Sequence, residues 1–90
     1  MLKIVFGNAF KRDYKRLAKR GYDIQLLDSV MGLLASGVQL DEKFSDHLLK
    51  GDWKGYRECH IEPDWIFIYA RDEASLYCAR TGTHSDILKL

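Results

Sequence analysis

Five residues set the chemistry this chain could perform: His47, His60, Asp64, Arg80 and His84. An imidazole, with an ordinary pKa near ~6.5, can take or give a proton at neutral pH. A guanidinium can hold two phosphate oxygens in its fork and stabilise charge that builds there. Two of the three histidines fall in the stretch Asp46 to Trp65, DHLLKGDWKGYRECHIEPDW, together with both tryptophans, the only proline and Cys59. Aromatic planes, cations and titratable imidazoles in one short span are the materials for binding and cleaving a nucleic acid. RNA supplies its own nucleophile, the 2′-OH beside each phosphodiester. It then needs only a base for that hydroxyl, an acid for the 5′-oxygen leaving group and a cation over the phosphate.

The elements that must position these groups follow from the pattern of apolar residues. Leu2 to Phe6 reads as a short strand closed by Gly7, with Asn8 capping a helix. On that helix Phe10, Tyr14, Leu17 and Ala18 form the apolar stripe, and Gly21 ends it. A second helix runs from Asp23 to Ser36, with Ile24, Leu27, Met31 and Leu34 as its stripe, widened by Val30 and Leu33. The tight Gly21-Tyr22 connection makes the two helices a hairpin. Val38 to Asp52 is a loop, with a turn of helix near Ser45 to Leu49. Three strands follow, Tyr56 to Ile61, Trp65 to Ala70 and Ser75 to Thr81, and Ser85 to Leu90 suits a helical turn.

The fold expected is α+β, in the order β-α-α-β-β-β, with a helix hairpin packed on one face of a small, mostly antiparallel sheet. Trp65 to Ala70 is apolar on both sides and should be the central strand. Ile66, Ile68 and Ala70 are expected to face the helices, leaving Trp65, Phe67 and Tyr69 on an open face beside His60. Simple alternation puts Arg80 with Leu76 and Cys78, so only a bulge or the strand's end could turn it toward the site. His84 is expected at the rim, solvated, on a flexible connection. Trp53 should pin its loop to the sheet, whereas Trp65 should matter more for activity than for stability.

Ninety residues with ordinary apolar and charged fractions make a single domain spanning 1–90. The first twenty residues carry seven Lys/Arg against one acid, Asp13, a local charge of +6 in a chain whose net charge is +1. Lys11, Lys15 and Lys19 belong to this band, which suits a phosphate backbone or an acidic partner. No signal-peptide pattern or membrane-length apolar run is seen, and a cytoplasmic protein is expected. Cys59 and Cys78 lie on strands about 9–10 Å apart and should be unbridged, buried thiols. No C-x-x-C or H-x-x-x-H spacing is present, so neither a metal nor a cofactor is expected.

The run D-H-x-L-x-G-x-W-K-G-Y-R-x-x-H-x-x-P-D-W over Asp46 to Trp65, with R-T-G-T-H over Arg80 to His84, resembles the YafQ branch of the RelE/ParE toxin superfamily. The resemblance implies a toxin that is a ribosome-dependent endoribonuclease cleaving mRNA. It also implies a cognate antitoxin, small, acidic and DNA-binding, that silences it. Carried over residue by residue, the site would be His47, His60, Asp64, Trp65, Arg80 and His84. Lys54 and Arg57 lie within the matched run as RNA contacts. Leu88 stands where the pattern has Phe, so a base-stacking ring is lost or supplied elsewhere. Two other classes remain: a toxin of the ParE kind that inhibits a topoisomerase by binding it, and a non-catalytic RNA- or ribosome-binding module. The His/Asp/Arg set argues against the first, and strand scission separates both from a nuclease.

Overall fold

The computed structural model describes residues 1–88. β1 (Lys3–Phe6) leads into α1 (Asn8–Lys19) and α2 (Ile24–Ala35). Then come β2 (His47–Leu48), β3 (Arg57–Glu62), β4 (Trp65–Arg71), β5 (Ser75–Gly82) and α3 (His84–Leu88). The strands form one sheet in the order β1-β5-β4-β3-β2, in which β1 runs parallel to β5 and the other pairings are antiparallel. This is the expected α+β arrangement with one more strand. β2, two residues long, pairs with β3 in place of the helical turn expected near Ser45 to Leu49, and a 3₁₀ turn lies upstream at Glu42–Phe44. Among the described residues no helix is long and apolar enough to cross a membrane.

α1 starts one residue before the sequence suggests, with Gly7 as its cap. It ends in a Schellman turn: Tyr22 N–H donates to Leu17 and Gly21 N–H to Ala18, with Gly21 at φ 86°. The α1 stripe facing the sheet is Phe10, Asp13 and Leu17, while Ala18 is exposed. Asp13, which from sequence interrupts the basic band, is buried, so the outward face of the helix is cationic without a break. α2 buries Leu27, Val30, Met31, Leu34 and Ala35, and leaves Leu33 exposed. The hydroxyl of Tyr14 donates to Asp28 at 2.8 Å and joins the two helices.

β4 is the central strand, and Trp65 through Tyr69 are all buried. Its phase is the reverse of the expected one. Trp65, Phe67 and Tyr69 pack with Phe10, Leu17, Leu27 and Leu34 under the helix pair. Ile66 and Ile68 lie on the other face with Ala79 and Ile87, partly covered by Leu49, Trp53 and Tyr56. Volume decides this. The gap between a sheet and a pair of helices is filled by three large rings, whereas the thin cover supplied by a loop and a five-residue helix suits isoleucine. The cysteines behave as expected: both are free and buried, and burial pushes the Cys78 thiol up to about 12.

Candidate active site

Residues directly opposed across strands share a face. The register therefore lines up Arg80 on β5, Ile68 on β4, Glu58 on β3 and His47 on β2, in one row across the face opposite the helix pair. The next row is Gly82, Ile66 and His60. Arg80 enters its row because the β4–β5 register shifts between Ile68 and Tyr69, which face Arg80 and Cys78 respectively. That is the bulge a strictly alternating strand would need. A second register shift, between His60 and Glu62, sits at the end of β3 beside the Pro63-Asp64 turn. Bulges next to sites commonly re-aim a side chain in this way.

The three histidines converge. His60 and His84 ring centroids are 5.5 Å apart, and His47 and His60 are 6.4 Å apart. Glu58, only 5% exposed, reaches between the first two: its Oε2 lies 3.2 Å from His47 Nε2 and 3.5 Å from His60 Nε2. The Nδ1 atoms of these rings face carbonyls, Ser45 at 2.7 Å and Pro63 at 3.3 Å. Each ring thus has its Nδ1 toward a backbone carbonyl and its Nε2 within ion-pair distance of the same carboxylate oxygen. Glu58 is the member of the site that motif reading misses. The signal for it is alternation alone, since it stands two residues from His60 on the same side of β3.

His84 is not the free rim histidine expected. It is the first residue of α3, half-buried, and Asp64 holds it twice: its backbone N–H donates to Asp64 Oδ1 at 3.2 Å and its Nδ1 lies 2.8 Å from the same oxygen. Nδ1–H donating to the carboxylate leaves Nε2 as the open lone pair. Thr83 and Asp86 place the helix by a reciprocal capping box, Asp86 N–H to Thr83 Oγ1 and Thr83 N–H to Asp86 Oδ2, both at 3.1 Å. Gly82 precedes the box at φ 152°, and a Cβ there would meet Asp86 Oδ2 at 3.1 Å. The Arg-Thr-Gly-Thr-His run is therefore the wiring that brings His84 to His60.

The His84 hydrogen bond, above all, holds the Asp64 carboxyl below its usual range, and Arg20 at 2.8 Å does the same for Asp86. A depressed carboxylate stabilises the fold fully above its unfolded pKa, about 3.9, and less as the pH falls through the folded value. The protection factors of the Thr83, His84 and Asp86 amides, relative to their intrinsic exchange at each pH, should therefore fall on acidification below about pH 4, before those in β4 do. Asp86→Asn should show the lowered protection already at neutral pH. Unchanged protection of these amides across the same range would contradict the capping account.

Other residues fall elsewhere. Trp65 is 1% exposed, its Nε1–H donates to Thr81 Oγ1 at 2.9 Å, and Tyr22 meets its ring edge-on at 5.1 Å. A ring so enclosed has no face to offer a base, which corrects its expected place on an open surface. Arg57 pairs with Tyr69 in register, so it lies on the helix-pair face, where Asp46 accepts from its Nε at 3.0 Å. It is not part of the histidine cluster. Lys54 is exposed on the loop that covers the cluster's face, and Lys11, Lys15 and Lys19 are exposed along α1. The side chain of Leu88 lies outside the described residues. Glu58, His60 and His84 each bring a ligand atom to within 4.8 Å of the others, a grouping that could hold a metal ion and that no local sequence spacing betrays.

A helix pair on one face of a mixed five-stranded sheet is a fold that this chain shares with small bacterial toxins. The structure is similar to that of a copper-bound mutant toxin from Helicobacter pylori (TM-score 0.91, 39% identity, covering 97% of this chain and 99% of that one). It is also similar to YafQ in the Escherichia coli DinJ–YafQ complex (TM-score 0.89, 39% identity, 97% and 98%). In sequence it is 41% identical over 83 residues to the mRNA interferase toxin YafQ of Escherichia coli, covering 91% of this chain and 90% of that protein. Residues 2–89 match the family model described as the bacterial toxin of type II toxin–antitoxin systems, YafQ, and the chain belongs to that family.

Proposed function

We propose that this chain is an mRNA interferase, cleaving mRNA on the ribosome by attack of the 2′-OH on the adjacent phosphate. The observation that carries this reading is the convergence of His47, His60 and His84 with Glu58 and Asp64 on one sheet face. His84, its Nδ1–H on Asp64, presents Nε2 as the base that takes the 2′-OH proton. His60, backed by Glu58 and the Pro63 carbonyl, gives a proton to the 5′-oxygen. His47 shares Glu58 and supports it. Arg80, in the same cross-strand row, stabilises the charge on the phosphate. These groups need no metal to complete the reaction.

The place of action is the cytoplasm, and the partner that restrains the toxin is a small, acidic, DNA-binding antitoxin. Escherichia coli YafQ is seen in complex with DinJ, which supports an antitoxin here. Purified toxin freed from its antitoxin should cut mRNA programmed on ribosomes and leave naked mRNA intact. Equal cutting of both would remove ribosome dependence from the reading.

The cationic face of α1 supplies contact with ribosomal RNA. Lys11, Lys15 and Lys19 are exposed, so reversing all three to Glu should leave the melting temperature near wild type. Ribosome affinity should fall, and its log–log salt slope should shrink by roughly 0.7–0.9 for each phosphate that is no longer neutralised. An unchanged slope would make the band a solvated surface only.

A further inference from the structure

We propose that Asp13 is a positioning residue for the reaction, holding the Arg80 guanidinium in the orientation it needs over the scissile phosphate. The inference rests on the reading of Arg80 just given and extends it to a residue far from the histidine motif.

Asp13 is 1% exposed and lies on the buried stripe of α1 between Phe10 and Leu17. An apolar residue would serve helix packing there at least as well, since a buried ion pair can be replaced by well-packed apolar groups at little or no loss of stability. What its carboxylate does is specific. Arg80 Nε donates to Oδ2 at 2.7 Å and Nη2 to Oδ1 at 3.1 Å, a bidentate fork. Thr81 N–H donates to Oδ2 at 3.1 Å. The register of β1 with β5 ends at the Phe6–Cys78 pair, so at Thr81 the helix carboxylate stands where a strand partner would. Thr81 is itself fixed, its hydroxyl donating to Ile66 and accepting from Trp65.

One carboxylate therefore anchors both the backbone just past the bulge and the guanidinium that the bulge turns. Arg16 Nη2, at 3.4 Å from Oδ1, is the other cation on it. The pair with Arg80 engages Nε and Nη2, so the Nη1 side of the fork is not part of it. Asp13 also sits on the helix whose outer face carries Lys11, Arg12 and Lys15, so it links the surface that meets the ribosome to the cation that meets the phosphate.

The test is a double-mutant cycle of Asp13→Asn and Arg80→Ala, read as kcat and KM for mRNA-programmed ribosomes, with thermal melts alongside. Asp13→Asn should lower kcat by roughly 10²-fold through misplacement of the fork. KM should stay within about two-fold, and in the Arg80→Ala background the same substitution should change kcat by no more than about two-fold. A merely structural role would lower the melting temperature and leave kcat of the folded protein alone, or would add in full to Arg80→Ala. Either result overturns the proposal. Should Asp13→Asn fail to fold, Asp13→Glu keeps the charge and shifts the fork by one methylene. A reduced kcat with a cooperative melt then supports the proposal, and a wild-type kcat overturns it. If Arg80→Ala alone cleaves at the wild-type rate, the role given to Arg80 falls and the role of Asp13 with it. Slow Arg80→Ala with additive Asp13→Asn sinks only the latter.

Discussion

Replacing His84 by alanine should slow cleavage of ribosome-bound mRNA by roughly 10²–10⁴-fold, the range expected when a group that takes or gives a proton is lost. The geometry makes this the largest catalytic effect in the molecule. Asp64 accepts from both the backbone N–H and the ring of His84, so ring and tautomer are set together. Asparagine at Asp64 would keep the shape and lose the carboxylate that favours Nδ1–H, so Asp64→Asn should reproduce part of the defect. Neither change touches the buried core, since Asp64 is exposed and His84 half-buried, and melting should shift little. Ribosome affinity should also be retained, because the α1 band lies elsewhere. An alanine variant that cuts at the wild-type rate would take His84 out of the mechanism and leave His60 and Glu58 to be tested.

The largest effect on stability should come from Trp65. Its ring is enclosed by the helix pair and its Nε1–H is satisfied by Thr81, which in turn donates to Ile66. Trp65→Ala removes the ring and its hydrogen bond to Thr81, while the Thr81 hydroxyl keeps its bond to Ile66, so a loss of about 3–5 kcal/mol is expected from the cavity. For a domain of this size the melting temperature should fall by at least roughly 12 °C. Trp53 is only half-buried, edge-on to Tyr56 at 5.3 Å in the thin cover over Ile66 and Ile68, and should cost less. This reverses the order read from sequence. A Trp65→Ala protein that melts like wild type, or a larger loss at Trp53, would contradict the packing described.

The reversal shows what the sequence can carry. Existence and order of the three long strands and the two long helices are legible because each has its own period and its own stop. The phase of β4 is not, because both of its alternations are apolar, Trp-Phe-Tyr against Ile-Ile-Ala, and periodicity cannot rank them. Only the depth of the space beneath the helix pair does. β2 is two residues long, below the length at which alternation can be recognised. The histidines, Asp64 and Arg80 are legible as a motif, but what brings them together is not. The bulge before Arg80 and the capping box that seats His84 are local breaks in regular structure. Glu58 hides as one more charged residue in an alternating strand. Asp13 reads as a flaw in a basic band until β1 is seen to stop short of Thr81.

The end groups of the cleaved mRNA test the central claim most directly. Attack by the 2′-OH, driven by a histidine pair, leaves a 2′,3′-cyclic phosphate on the upstream fragment and a 5′-hydroxyl on the downstream one. Mass spectrometry of fragments cut on the ribosome by the purified toxin should show that pair of ends, and His84→Ala should reduce their yield without changing their chemistry. Fragments ending in a 3′-hydroxyl and a 5′-phosphate would mean that water, and not the neighbouring hydroxyl, is the nucleophile, and the account given for this site would be wrong.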